Sequence, residues 1–428
     1  MAAFSRRELM PGVFLTSLQT TKFKSSFWSL RMVTPLRKET AALNALLPRV
    51  LRRGTAACPD QRQLAALLDD LYGGVIEPTA TKRGEVQCVG FLGTFLDDGL
   101  APDGTNLLDR AAHLMGDLLL HPATRNGRLM GSYVESERRN LVSEIRSEIN
   151  DKRQYANKRL MEEMCREEAY GVPRLGTLDR AEKISLQKLN SYYHELLPTV
   201  RLEVYYCGSA SPGRVEQAWR EALMDLPRGK VAEMPYTQWK REVEGVRRIT
   251  DHLDVTQGKL AMGFRTNTTM TSPRYPAAVV ANALFGGTAN SKLFLNVREK
   301  LSLCYYASSG LDRHKGLMYL QSGVKFADFD RAEAEILAQL EAVRRGDFTD
   351  EELMAAKKAV VSSYRSIQDS QVYQEDYWLN QSVAEMQVSP GEMALLLEDV
   401  TREQVIEAAK GWQLDCVYEL RGPKEGKG

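Results

Sequence analysis

The sequence predicts an α+β protein of two similar lobes, each a mostly antiparallel sheet covered by helices on one face. Three observations predict it. The order of elements between residue 10 and about residue 225 recurs from about residue 246 onward, which marks an internal repeat. The strand-like segments alternate apolar and polar residues instead of running as continuous apolar stretches, the pattern of antiparallel strands with one covered face. A chain of 428 residues exceeds one ordinary core and suits two domains of roughly 200 residues.

Each half opens on β-branched and aromatic segments. In the first, GVFLTSLQTT and KSSFWSLRMVTP read as a hairpin or a pair of adjacent strands, and in the second the opening is RRITDHLDVTQGKLAMGFRTN. A helix with apolar residues at three-to-four spacing follows in each, KETAALNALLPRVLRRGT and SPRYPAAVVANALFGGT, closing on glycine. Next come a second helix and a turn into strands: RQLAALLDDLYGGVIEPTATKRGEVQCVGFL answers SKLFLNVREKLSLCYYASSGLDRHKGLMYLQSGV. The long helices LLDRAAHLMGDLLLHP and FDRAEAEILAQLEAVRRG correspond, and a further charged helix stands behind each, the later one opening on the capping box Thr349-x-x-Glu352. Both halves finish on a strand, RLEVYYCG (201–208) and DCVYELRG (415–422). Between them LPRGKVAEMPYTQWKREVEG has no clear period and reads as a linker. The expected division is a first domain over 1–225, a linker over 226–245 and a second domain over 246–428. A rough twofold relation between lobes is expected, with the strands at 201–208 and 415–422 equivalent.

Composition narrows the function classes. Fifty-seven basic against 56 acidic residues leave a net charge of +1, so nothing favours nucleic acid or an anionic membrane as partner. The opening MAAFSRRELMPG has no apolar run of signal-peptide length and no stretch reaches the ~18 apolar residues of a membrane span. A cytoplasmic location is expected. Cys58, Cys88, Cys165, Cys207, Cys304 and Cys416 form no C-x-x-C pair and read as reduced, mostly buried thiols. Gly286 and Gly287 lack the rest of a phosphate-loop pattern and read as a tight turn.

The segment LFGGTANSKLFLNVREKLSLCYYASSGLDRHKG, residues 284–316, resembles the second half of the pitrilysin/insulinase (inverzincin) metallopeptidases. The stretch 140–172 together with LFGGTANSKLFLNVREK looks most like that family's zinc-less YfmF-type subunits, which are associated with modification of elongation factor P. The resemblance implies half of a peptidase clamshell. It also implies that Arg298 and Tyr305 match an arginine and a tyrosine that hold the substrate backbone; a guanidinium and a phenol converging on one peptide carbonyl would polarise it.

Catalytic relatives carry H-x-x-E-H on a helix ending in Gly-Thr, two histidines holding zinc and a glutamate activating water. Aligned on Gly54 and Thr55, those positions are Ala45, Pro48 and Arg49, so no metal is expected in this chain. His113, His121, His194, His252 and His314 offer no pair three or four apart. Glu144 matches the third ligand and, without the histidines, reads as a helix-face carboxylate. The resemblance thus implies no enzyme on its own, but a non-catalytic, peptide-binding subunit that supplies Arg298 and Tyr305 in trans. Zinc is expected on a homologous partner in a heterodimer, alternatively in a homodimer. Two other readings stand beside it: a purely structural or assembly scaffold of the same fold, and a self-sufficient enzyme using a cysteine nucleophile with a histidine base.

Overall fold

The computed structural model describes residues 3–235 and 237–423. The first half supplies strands β1 (Ala3–Met10), β2 (Val13–Gln19), β3 (Ser25–Pro35), β4 (Val75–Arg83) and β5 (Val86–Leu96), the short hairpin β6 (Thr124–Arg125) and β7 (Arg128–Leu129), and β8 (Arg201–Gly208). Its helices are α1 (Ala41–Leu51), α2 (Gln61–Asp70), α3 (Leu107–Leu120), α4 (Gly131–Ser147), α5 (Lys152–Met164), α6 (Leu178–Glu182), α7 (Leu186–Leu196) and α8 (Pro212–Ala222). The second half adds β9 (Arg247–His252), β10 (Gly258–Arg265), β11 (Cys304–Asp312), β12 (Leu317–Val324) and β13 (Gln413–Arg421). Its helices are α9 (Tyr275–Asn282), α10 (Phe329–Arg345), α11 (Asp350–Ser366), α12 (Gln371–Val383), α13 (Pro390–Glu398) and α14 (Arg402–Lys410), with π-helical segments at Ala283–Gly287 and Leu293–Lys300.

The repeat is visible in the strand order. One sheet runs β1-β2-β8-β3-β5-β4 and the other β11-β12-β10-β13-β9. Each has one parallel pair, β2 with β8 and β13 with β9, and is otherwise antiparallel. Matching β2 to β9, β8 to β13, β3 to β10, β5 to β12 and β4 to β11 reproduces every neighbour relation, and β1 is the first sheet's addition. The strands at 201–208 and 413–421 therefore hold equivalent places.

One expectation is corrected. Residues 12–21 and 24–35 do not pair with each other, because β8 enters between β2 and β3, antiparallel to β3 and parallel to β2. The hairpin partner of β2 is β1, an edge strand whose Arg7 is exposed at the sheet margin while Arg6 turns inward to pair with Glu203 of β8 at 2.8 Å. Local alternation reports that a segment is a strand, not which strand lies beside it.

The chain divides into two compact units that are not consecutive in sequence: one holds the residues to Arg146, Val172–Pro235 and Gln371–Leu379, the other Ser147–Gly171, 237–370 and Asn380 onward. The stretch 226–245 carries neither helix nor strand among its described residues. In the first unit, Trp28, Leu30 and Met32 of β3 face a core built with Leu43, Leu46 and Leu47 of α1 and Met115 of α3. The opposite face of β3 is buried as well: the Gln371 side chain donates to the Ser25 and Cys207 carbonyls, and Glu375 pairs with Arg31 at 2.9 Å.

In the second unit, Leu260, Met262 and Phe264 of β10 face the main helix layer, while Ala261 meets Leu160 and Met164 of α5 on the other side. This is the period of two expected of a strand with both faces covered. A Cβ on Gly263 would come 2.5 Å from the Met164 sulfur, so the glycine lets α5 lie close to the sheet. Each unit thus has one main helix layer, and on the second face a helix contributed by the other half of the sequence.

Candidate functional site

Helix α1 forms because ALNALL joins strong helix formers to an apolar stripe. It starts at Ala41, seven residues before Pro48, so the proline lies inside it and withholds one backbone donor. Ala45 is buried, 1% exposed. The Arg49 guanidinium donates to Glu144 on α4 at 2.6 Å, and Arg174 reaches the other carboxylate oxygen at 3.5 Å. One helical turn on, Arg53 pairs with Glu137 of α4 at 3.0 Å and stacks over Tyr133, so α1 and α4 are laced by two parallel ion pairs. The two arginines also lie in or just beyond the last turn of α1, where positive charge complements the helix dipole.

This geometry bears on whether zinc fits. Ala45 has no ligand atom, Pro48 has no side-chain base, and Arg49 sets a permanent cation against the one carboxylate that remains. A second cation beside that guanidinium would be repelled, so the residues present do not fit a zinc ion. Among the described residues no group of three or more His, Cys, Asp or Glu side chains is arranged to hold a metal. Cys88, Cys165, Cys207, Cys304 and Cys416 are buried and Cys58 is half-buried. Burial pushes the Cys88 and Cys207 thiols up, the latter to about 11, which makes a thiolate nucleophile costly.

Arg298 lies on the π-helical segment Leu293–Lys300, its guanidinium 4.7 Å from the Phe294 ring centre and 3.6 Å from Glu299. The Leu301 amide donates to the Asn296 carbonyl five residues back, the wide turn of a π-helix, and Ser302 takes a positive φ of 52° to turn the chain into β11. On β11 Cys304 pairs with Val324 and Tyr306 with Gly323, which leaves Tyr305 as the extra residue of a β-bulge. The bulge projects Tyr305 outward, 57% exposed, and the Arg298 side chain is 41% exposed. Burial pushes the Cys304 thiol up, against a hydrogen bond with Ser322 and, after it, the Arg298 charge.

Gly286 and Gly287 end a π-helical segment instead of forming a tight turn; a Cβ on Gly286 would meet Leu293 at 2.5 Å and Ser309 at 2.6 Å, so the glycine serves close packing against β11.

Sequence reasoning passed over one ionic cluster in the second unit. Arg265 and Lys315, both fully buried, grip Glu168 at 2.6 and 2.7 Å, and Arg265 also pairs with Asp415 at 2.7 Å. Burial would push the Glu168 carboxyl up, but the hydrogen bonds from Arg265 and Lys315 prevail and hold it at about 2. Lys315 also donates to the Gln238 carbonyl at 2.6 Å, fixing that part of the 226–245 stretch. The one signal in the sequence was a basic residue closing the apolar strand GKLAMGFR.

The repeated α+β unit has the architecture of the inverzincin metallopeptidase class. The chain belongs to the M16 peptidase family. A family model described as "Peptidase M16 inactive domain" matches residues 183–360. The chain is 32% identical over 411 residues, 96% of each protein, to "Probable inactive metalloprotease YmfF" of Bacillus subtilis (strain 168). Among solved structures it is similar to a conserved protein from Enterococcus faecalis V583, with a TM-score of 0.89, 25% identity and coverage of 99% of this chain and 100% of that one. A protease from Helicobacter pylori shares the fold at a TM-score of 0.81 and 14% identity, covering 98% and 99%. No helix among the described residues is long and apolar enough to cross a membrane.

Proposed function

We propose that this chain is the substrate-binding, non-catalytic subunit of a heteromeric zinc metallopeptidase, presenting Arg298 and Tyr305 to a peptide held at a homologous partner's zinc. The observation that carries the reading is a contrast within one chain. The ligand positions are filled by Ala45, Pro48 and an Arg49 locked to Glu144, whereas Arg298 and Tyr305 stand in solvent on a π-turn and a bulge. A phenol 57% exposed does nothing for the core, and irregular backbone that projects a polar side chain recurs at functional sites. Both groups can donate to a carbonyl oxygen on which charge develops.

The test is purification of the chain with its partner from the native organism, followed by reconstitution with Arg298→Ala and Tyr305→Phe. Removing one transition-state donor costs on the order of a hundredfold in turnover, so each variant should lose most peptidase activity while folding, association and zinc content hold. Full activity in both variants would make the chain a scaffold. Loss of association would place the two residues in the subunit interface instead.

A further inference from the structure

We propose that Arg153, Lys259 and the ring of Tyr306 form a site for a carboxylate of the bound peptide, on the α5 side of the second unit's sheet. The Arg153 guanidinium lies 4.4 Å from the Tyr306 ring centre and the Lys259 ammonium 5.7 Å from it. Strand register produces this grouping: Lys259 on β10 and Tyr306 on β11 both pair with Gly323 of β12. A Cβ on Gly323 would fall 2.6 Å from the Tyr306 ring, so only glycine lets the ring lie across the middle strand.

Arg153 is held in place. Its Nε donates to Gln321 at 2.9 Å and its Nη2 to Ser308 at 3.0 Å, while Nη1 makes no hydrogen bond among the described residues. Lys259 donates to Gln257. Neither cation has an ion pair among the described residues. Asp151 caps α5, accepting from the backbone amides of Arg153 and Gln154 at 3.0 Å each. Burial first, and then the Arg153 charge, lower the Lys259 ammonium from the usual lysine range, with Asp151 acting the other way.

Two like charges on one ring repel each other, and an exposed cation–π contact returns only a little. An arriving anion relieves that repulsion, so the grouping is preset for negative charge. A planar guanidinium edge beside an ammonium suits a carboxylate, and Tyr306 adjoins Tyr305 in the chain. The ligand's being a peptide rests on the function proposed above; the cation grouping does not.

The test titrates the isolated full chain with acetylated, amidated pentaglutamate, with pentaglutamine and with inorganic phosphate. Pentaglutamate should bind about tenfold or more tightly than pentaglutamine, and lose about tenfold in Lys259→Gln and in Arg153→Gln but not in the distant surface control Lys410→Gln. Lys259→Glu supplies the missing anion internally: it should keep the thermal midpoint and lose pentaglutamate binding, which covers the case of Arg153→Gln failing to fold. Equal binding of the two peptides, undiminished binding in the Lys259 variants, or displacement by equimolar phosphate would overturn the site. No peptidase activity is read, so failure here leaves the roles of Arg298 and Tyr305 standing, and their failure leaves this site standing.

Discussion

Glu144 is held between Arg49 and Arg174, and Glu168 among Arg241, Arg265 and Lys315, yet burial separates their worth. Glu144 has a side chain 37% exposed, and screening limits such pairs to roughly 0–1 kcal/mol. Glu144→Gln should therefore shift the urea midpoint only slightly. Glu168 faces two fully buried cations, and breaking such a cluster from one side costs about 3–5 kcal/mol; Glu168→Gln should lower the midpoint severely in the same assay. The Glu168 carboxyl is lowered from 4.5 to about 2, so the unfolded chain takes up the proton first as pH falls. Its stabilisation is complete above about pH 5 and drains away as pH drops through 4.5 toward 2. Urea titrations between about pH 6 and pH 3 should show this slope flattened in Glu168→Gln. At this scale the lack of ligand atoms at Ala45 and Pro48 is legible in the sequence, since residue types decide lone pairs. The grip of Arg265 and Lys315 on Glu168 was not, because the contacts span 97 and 147 positions of sequence.

Elements whose signals are local read well, and those whose signals are distant did not. The capping box at Thr349 and Glu352 stands as its spacing predicts, and two more of the same kind, Ser389 with Glu392 and Thr401 with Gln404, open α13 and α14. Thr349→Ala should cost about 1 kcal/mol in thermal denaturation. The partner of β2 was misread because β8 arrives from residue 201 onward. Backbone proximity makes a sharper test of the sheet. Gly90 in β5 has φ +151°, and a Cβ there would lie 2.0 Å from the Leu30 carbonyl oxygen of β3, whereas Gly73, with φ +72°, opens onto free space. Gly90→Ala should cost on the order of 3 kcal/mol or more, because two paired strands must separate, and Gly73→Ala about 1–2 kcal/mol. Equal midpoints for the two variants would contradict the β3–β5 register.

For the whole molecule, the repeat was legible as an order of elements, and the strand orders of the two sheets bear it out. The exchange of helices was not legible. Residues 147–171 belong with the second unit and 371–379 with the first, a placement that no local period encodes. A fragment ending at residue 235 would lack Glu375 and leave the buried Arg31 charge unpaired. Such a fragment should show no cooperative unfolding transition, and Glu375→Ala in the full chain should cost about 3–5 kcal/mol. The central claim, that this member of the M16 family carries no catalytic metal of its own, is tested most directly by metal analysis of the isolated chain after dialysis against zinc-containing and then metal-free buffer. With Ala45, Pro48 and a salt-bridged Arg49 on α1, where the sequence alignment on Gly54 and Thr55 sets the family's zinc motif, zinc per chain should fall to near zero. A retained content approaching one zinc per chain would contradict the account, for it would mean that other residues build a metal site.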